Sequence, residues 1–187
     1  MKCALVVDED SNLRQQVVKT LVDCGFDRVV EAENATLGAA LAVSEKPLLS
    51  ILDLSLAGGG GIEAAEKIGS QTAGPIVLLA TAGESECLEK AWEVGVSQFL
   101  LKPFCGEQLK VCIDTAIHQF VEVSSLKQEV DKLRETIESR KKIDRAKGVL
   151  INQGMSEQDA YRKMQKLAMD KRKTLKEVAD AILLMEG

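Results

Sequence analysis

Over the first 118 positions, apolar runs of about five residues alternate with amphipathic stretches of ten or more. Cys3-Ala4-Leu5-Val6-Val7 is continuous and apolar, as a parallel strand buried on both faces requires. Leu13, Val17 and Leu21 then recur at helical spacing, with Ser11 as the expected N-cap. Arg28–Ala32 is a weaker run and leads into an Ala-rich helical pattern over 34–45. The run over 48–53 passes through a glycine tract into a helix over 62–69. Run 75–80 leads into a helix over 84–94, and run 97–101 into one beginning near Cys105.

Strand and helix alternating five times predict an α/β fold, (βα)5, with a parallel sheet, helices on both faces and right-handed crossovers. The expected strand order is the flavodoxin-like 2-1-3-4-5. The fifth helical pattern has no stop signal. Leu109, Ile113, Ile117 and Phe120 form one stripe, expected to pack on the sheet. Val123, Leu126, Val130, Leu133 and Ile137 follow at spacings of three and four with Lys and Glu between them, an a/d seam that lasts until Arg140 lands on the next core position. The segment follows a complete domain and lacks Gly and Pro, so it reads as a dimerising coiled coil. A single amphipathic helix lying on its own domain is the alternative.

Three short helical patterns close the chain. One holds Ile143, Ala146 and Leu150 and ends at Gly154. A second starts at Ser156 with Asp159 three residues on, and a third at Thr174 with Glu177 in the capping-box position. Their small apolar faces bury little area singly, so they are expected to pack on one another and on the dimer partner. The organisation predicted is an α/β domain over 1–120, a coiled-coil linker over 121–140 and a three-helix all-α domain over 141–187.

Composition adds an asymmetry. The net charge of −5 divides unevenly: residues 1–118 hold nine Lys/Arg against seventeen Asp/Glu, residues 140–187 twelve against seven. An acidic half joined to a basic end directs any polyanionic partner to the end. Cys3, Cys24, Cys87, Cys105 and Cys112 are widely spaced, form no C-x-x-C pair and have only His118 to complete a metal site, so they read as small buried hydrophobes. No stretch approaches the roughly twenty apolar residues of a membrane span and no basic-then-apolar leader opens the chain. A cytoplasmic protein with no membrane partner is expected.

The chemistry lies where the runs end. Asp8, beside Glu9 and Asp10, closes the first run, Asp53 the third, Thr81 the fourth and Lys102 the fifth. In one parallel sheet these side chains gather at the carboxyl edge, where open α/β sheets put their sites. A phosphoryl acceptor that works at neutral pH without an organic cofactor needs an ionised carboxylate and a divalent ion to screen two anions. Mg²⁺ takes one or two carboxylates plus water, which Asp8, Glu9 and Asp53 could supply. Lys102 would neutralise one phosphoryl oxygen and Thr81 would hydrogen-bond another. Asp53, at the end of the central strand, is the acceptor candidate.

Residues 1–120 resemble the receiver domain of two-component response regulators, through V-V-D-E-D at 6–10, L-D-L-S-L at 52–56, A-T-A at 80–82 and F-L-L-K-P-F at 99–104. The resemblance implies that Asp53 is phosphorylated by a sensor histidine kinase and that Asp8 and Glu9 are the metal-binding acidic pair. It further implies that the Ser55 carbonyl completes the Mg²⁺ ligands, that Thr81 and Lys102 are the switch hydroxyl and phosphate-binding lysine, and that Phe99 takes the place of the switch aromatic. Two features depart from the pattern. Ala57 stands where the family commonly has Pro, and Gly58–Gly61 make a looser loop, with no G-K-[S/T] to suggest a nucleotide P-loop. Neither removes the acceptor chemistry.

The end resembles the ANTAR domain of transcription antiterminators over about 126–187. Ser139-Arg140, Ile143, Ala146-Lys147-Gly148-Val149-Leu150, Gly154-Met155-Ser156, Ala160-Tyr161, Ala168-Met169, Arg172 and Leu175-Lys176-Glu177-Val178-Ala179 carry the likeness. It implies binding to paired small hairpins in nascent messenger RNA, stabilised against a terminator. With the helical seam over 121–140, a homodimer formed when Asp53 is phosphorylated is expected to present two such modules. Tyr161 could stack a loop base, or could cap the small core; Arg140, Lys147, Arg162, Lys166, Arg172 and Lys173 could hold phosphates, or could be a solvated face. The alternatives are an output that binds DNA or a partner protein, and an antiterminator controlled by a bound inhibitor protein. An enzyme is disfavoured, since no other cleft, nucleophile or metal cluster stands out. Overall resemblance leans toward the ethanolamine-utilisation type of antiterminator.

Overall fold

The computed structural model describes residues 1–57, 60–83 and 88–185. Strands β1 (Cys3–Val7), β2 (Arg28–Ala32), β3 (Leu49–Asp53), β4 (Ile76–Thr81) and β5 (Gln98–Lys102) form one parallel sheet in the order β2-β1-β3-β4-β5. Helices α1 (Ser11–Asp23), α2 (Ala35–Glu45), α3 (Gly60–Gly69) and α4 (Leu88–Glu93) connect successive strands, and α5 (Gly106–Asn152) follows β5.

The continuous apolar runs are explained by cover on both faces. Along β1, Ala4 and Val6 join a core with Val17 and Leu21 of α1 and Leu109, Ile113 and Ala116 of α5. The alternate residues Leu5 and Val7 join a second core with Ala42 of α2, Ala64, Ala65 and Ile68 of α3 and Ala91 of α4. Each leucine or isoleucine so buried stabilises the fold by about 1.5–3 kcal/mol relative to exposure.

Two expectations shift at helix ends. Asp10, not Ser11, caps α1, its side chain accepting from the backbone N–H groups of Asn12 at 2.8 Å and Leu13 at 3.4 Å. A carboxylate accepts from the first turn more strongly than a hydroxyl, and Ser11 becomes the first helical residue. The α3 helix starts at Gly60, two residues before the apolar pattern. A Cβ on Gly61 would collide with the Asp53 carbonyl and the Leu54 Cα, so only glycine lets this turn pass beneath the end of β3. Gly58 and Gly59 lie outside the described residues, as do residues 84–87 of the pattern expected over 84–94, Cys87 among them.

The largest difference is α5. The linker and the first of the short terminal patterns are one 47-residue helix, not separate elements. No Gly or Pro interrupts residues 107–147, and Gly148 alone costs too little to break an established helix. The chain divides into two compact units, Met1–Ser124 and Ser125–Gly187. In the second, α6 (Glu157–Lys171) and α7 (Leu175–Leu184) pack with the end of α5 around Ala146, Leu150, Ala160, Met164, Val178 and Ala179. Ser156 and Thr174 are the caps, and Thr174 with Glu177 forms a complete capping box.

Candidate functional site

The carboxyl ends of β1, β3, β4 and β5 bring Asp8, Asp53, Thr81 and Lys102 to one edge of the sheet. Strand order reverses between β1 and β3, so Asp8 and Asp53 flank the crevice that this topology opens. Both are buried, at 2% and 7% exposure. Lys102 reaches between them: Nζ lies 3.1 Å from Asp8 Oδ2, a hydrogen bond, and 2.8 Å from Asp53 Oδ1. The second contact is an ion pair by distance, yet Asp53 Oδ1 accepts no well-directed hydrogen bond among the described residues. The ammonium thus neutralises this oxygen by charge and proximity rather than by a well-aligned hydrogen bond. Burial works against the Lys102 ammonium, but the carboxylates of Asp53 and Asp8 outweigh it and hold its pKa above the ordinary value.

Two carboxylates sharing one ammonium leave an unneutralised negative charge in a buried, oxygen-lined pocket. That donor set fits a hard divalent cation such as Mg²⁺. The third acidic side chain points elsewhere. Glu9 is exposed, and its Oε1 accepts a hydrogen bond from the Ala57 backbone N–H at 2.7 Å. Among the described residues no three acidic, His or Cys side chains converge into a metal cluster.

Sequence reading missed Arg14. Its Nη1 donates to the Asp8 carbonyl at 2.6 Å and the Glu9 carbonyl at 3.3 Å, and its Nε pairs with Glu31 of β2 at 3.2 Å. The guanidinium fork thus ties the acidic loop to the sheet. A lone arginine on an amphipathic helix carries no such signal. Asp8 Oδ1 adds a local tie, accepting from the Asp10 N–H at 2.8 Å.

Thr81 is exposed at the rim and engaged in an interaction of its own, and Ser55 is exposed two residues after Asp53. Phe99 points to the α2–α3–α4 side of the sheet, partly buried, and meets Trp92 of α4. Phe99, Thr81 and Lys102 thus occupy neighbouring strands, and Lys102 reaches both Asp8 and Asp53.

In the second unit three of the basic or aromatic candidates come together. Lys147, Tyr161 and Arg162 line an open cleft of about 620 Å³ with Glu157, Gln158 and Gln165. Tyr161 is 40% exposed and is not among the residues of the small core. Lys147 is held by Asp144 at 2.9 Å and Glu157 at 3.3 Å, and those contacts keep its pKa above the ordinary value. Arg140 and Lys166 are exposed but stand apart from the cleft lining. Arg172 ends α6 in the left-handed conformation (φ 51°), and Lys173 beside it pairs with Glu177 at 2.8 Å. The seam residues Val123, Leu126, Val130, Leu133 and Ile137 are each about half exposed, from 46% to 57%, along α5.

Residues 4–114 match the response regulator receiver domain family and residues 131–183 the ANTAR domain family. The chain is 36% identical over 180 residues to the transcriptional regulatory protein PdtaR of Mycobacterium tuberculosis, covering 96% of this chain and 88% of that protein. It is 32% identical over 111 residues to the phosphate regulon transcriptional regulatory protein PhoB of Pseudomonas aeruginosa, covering 58% of this chain and 48% of the other. Among solved structures, the chemotaxis response regulator CheY4 of Vibrio cholerae superposes with a TM-score of 0.55 at 26% identity, over 62% of this chain and 98% of that one. Among the described residues no helix is long and apolar enough to cross a membrane. Its strand order, its edge of acids and lysine, and the two matched domains together make this chain a member of the two-component response regulators that join a receiver to an ANTAR domain.

Proposed function

We propose that this protein is a phosphorylation-switched antiterminator: Asp53 takes a phosphoryl group from a sensor histidine kinase, and the dimer then formed binds tandem hairpins in nascent messenger RNA. The observation that carries the proposal is the Lys102 bridge. It holds two buried carboxylates at the carboxyl edge of the sheet, Nζ lying 3.1 Å from Asp8 Oδ2 and 2.8 Å from Asp53 Oδ1. A carboxylate oxygen of Asp53 attacks phosphorus in line as the N–P bond of a phosphohistidine breaks, and the phosphoryl charge then draws Lys102. Asp8, Glu9 and Asp53 with the Ser55 carbonyl would hold Mg²⁺, which supplies charge screening when bound. Phosphorylation would pull Thr81 inward and let Phe99 repack, changing the β4–β5 surface and favouring dimerisation along Val123 to Ile137 within the 121–140 linker.

For the output, the grouping of Lys147, Tyr161 and Arg162 around one cleft supports hairpin binding: bases stack on the ring while cations hold phosphates. Two such modules in a dimer raise each other's effective concentration at paired hairpins. A role on nascent transcripts implies the cytoplasm.

Acetyl phosphate with Mg²⁺ should add one phosphoryl group to the wild type and none to Asp53→Ala; equal labelling of that variant refutes the acceptor assignment. Gel shifts with tandem-hairpin RNA and duplex DNA, before and after phosphorylation, test the output. Preference for duplex DNA would turn the reading to a DNA-binding regulator. RNA affinity indifferent to phosphorylation would leave control to a bound inhibitor protein.

A further inference from the structure

The hydrogen bond from the Ala57 backbone N–H to Glu9 Oε1, at 2.7 Å, joins two loops 48 residues apart in sequence. It holds the Glu9 carboxylate on the β3–α3 loop while Asp8 and Asp53 face Lys102. A proline at 57, as the family commonly has there, has no N–H and could not make this contact.

We propose that Ala57 is a positioning residue for the divalent cation: its amide latches Glu9 outside the pocket, and metal binding must break that hydrogen bond before Glu9 can serve as a ligand. The inference rests on the reading of the pocket as a Mg²⁺ and phosphoryl site. Three features favour a latch over an incidental contact. The acceptor is a carboxylate, so the hydrogen bond is of the stronger, charge-assisted kind. It is exposed, so a competing charge can displace it without leaving a buried donor unsatisfied. And the backbone at Asp8 and Glu9 is clamped by Arg14, so exchange between latch and pocket needs only the Glu9 side chain to rotate. The latch lowers apparent cation affinity, because the competent arrangement must first be populated. It also frees the Ala57 amide whenever the cation is bound, so occupancy of the pocket is transmitted to the loop that follows the acceptor.

The test is a Mg²⁺ titration of the ¹⁵N-labelled full-length protein, with dissociation constants by calorimetry for wild type, Ala57→Pro and Glu9→Asp. The Ala57 amide proton should move upfield with the same midpoint as the pocket resonances, as its carboxylate partner leaves. Ala57→Pro should bind Mg²⁺ about three- to tenfold more tightly, the effect of losing one exposed charge-assisted hydrogen bond. Glu9→Asp, too short to reach Ala57, should show the unlatched Ala57 amide shift before any metal is added. An Ala57 amide that stays unmoved while Mg²⁺ binds overturns the latch and leaves the pocket standing. No Mg²⁺ response at Asp8 or Asp53 overturns the pocket and the latch together. The amide measurement on wild type decides the question even if the proline variant does not fold.

Discussion

Trp92 and Phe99 meet edge to face, ring centroids 5.1 Å apart and planes at 78°. This links α4 to the aromatic of β5 proposed to repack, and such a pair contributes about 0.5–1.5 kcal/mol beyond its area burial. Trp92 is the only tryptophan in the chain and is 53% exposed, so the emission comes from this one ring and is sensitive to any change in its contact with Phe99. Acetyl phosphate with Mg²⁺ should change Trp92 fluorescence in the wild type and leave Asp53→Ala unchanged. A response equal in both proteins would separate Trp92 from the switch.

Lys102 offers a test of the electrostatics. Lys102→Ala leaves two buried carboxylates facing each other, which should lower folding stability by about 1–2 kcal/mol, discounted for the partial exposure of the lysine. It should also slow labelling by acetyl phosphate at least about tenfold, since one charge-assisted contact to the phosphoryl group is lost. The folded pKa of Lys102 lies above its ordinary 10.5. The stabilisation is therefore complete below that ordinary value and disappears as pH rises through the folded one. Urea midpoints of wild type and Lys102→Ala should converge at strongly alkaline pH; a gap that persists there contradicts the assignment.

The half-exposed seam on α5 predicts assembly. Lysine at both Leu126 and Leu133 should abolish dimerisation in sedimentation velocity while helical circular dichroism is retained. If the phosphorylated double variant still sediments as a dimer, the contact lies elsewhere.

For the small helical unit, Thr174→Ala removes the hydroxyl half of the capping box and its hydrogen bond to the Glu177 carboxylate, while the backbone N–H of residue 174 still donates to Glu177. It should lower the thermal midpoint by several degrees. Glu177 is held down to about 2, first by Lys173 and then by the Thr174 backbone and hydroxyl. Its contribution is present above the ordinary 4.5 and fades as pH falls through the folded value. Wild type and Thr174→Ala should thus melt furthest apart near neutrality and draw together in acid. A difference independent of pH would exclude the Glu177 carboxylate.

At the cleft, Tyr161→Ala should cost hairpin RNA binding about 1–3 kcal/mol if one base stacks there. Arg162→Ala should weaken binding most at low salt and reduce the salt slope by about one phosphate contact. An unaltered slope would remove Arg162 from the interface.

Much of the pocket is legible in the order of residues along the chain. Apolar runs ending in Asp8, Asp53, Thr81 and Lys102 imply a shared sheet edge, because strands of a parallel sheet point the same way. The α5 seam and the caps at Ser156 and Thr174 are equally legible, since spacing and capping chemistry are local. Arg14, the Ala57 amide and Trp92 are not. Their partners, Glu31, Glu9 and Phe99, lie 17, 48 and 7 residues away, and no periodicity couples such pairs.

The chain's sequence by itself determined the strand–helix alternation, the likeness to the two matched domains and which polar residues close the strands, because these follow from periodic burial and from which residue types end each run. Tertiary structure alone decided that Lys102 stands between Asp8 and Asp53 and that Glu9 turns away to Ala57. It also decided that linker and first output helix are one element, and that Lys147, Tyr161 and Arg162 share a cleft. The reason is that side-chain direction depends on competing donors and charges brought near by folding, and a one-dimensional pattern does not contain those distances.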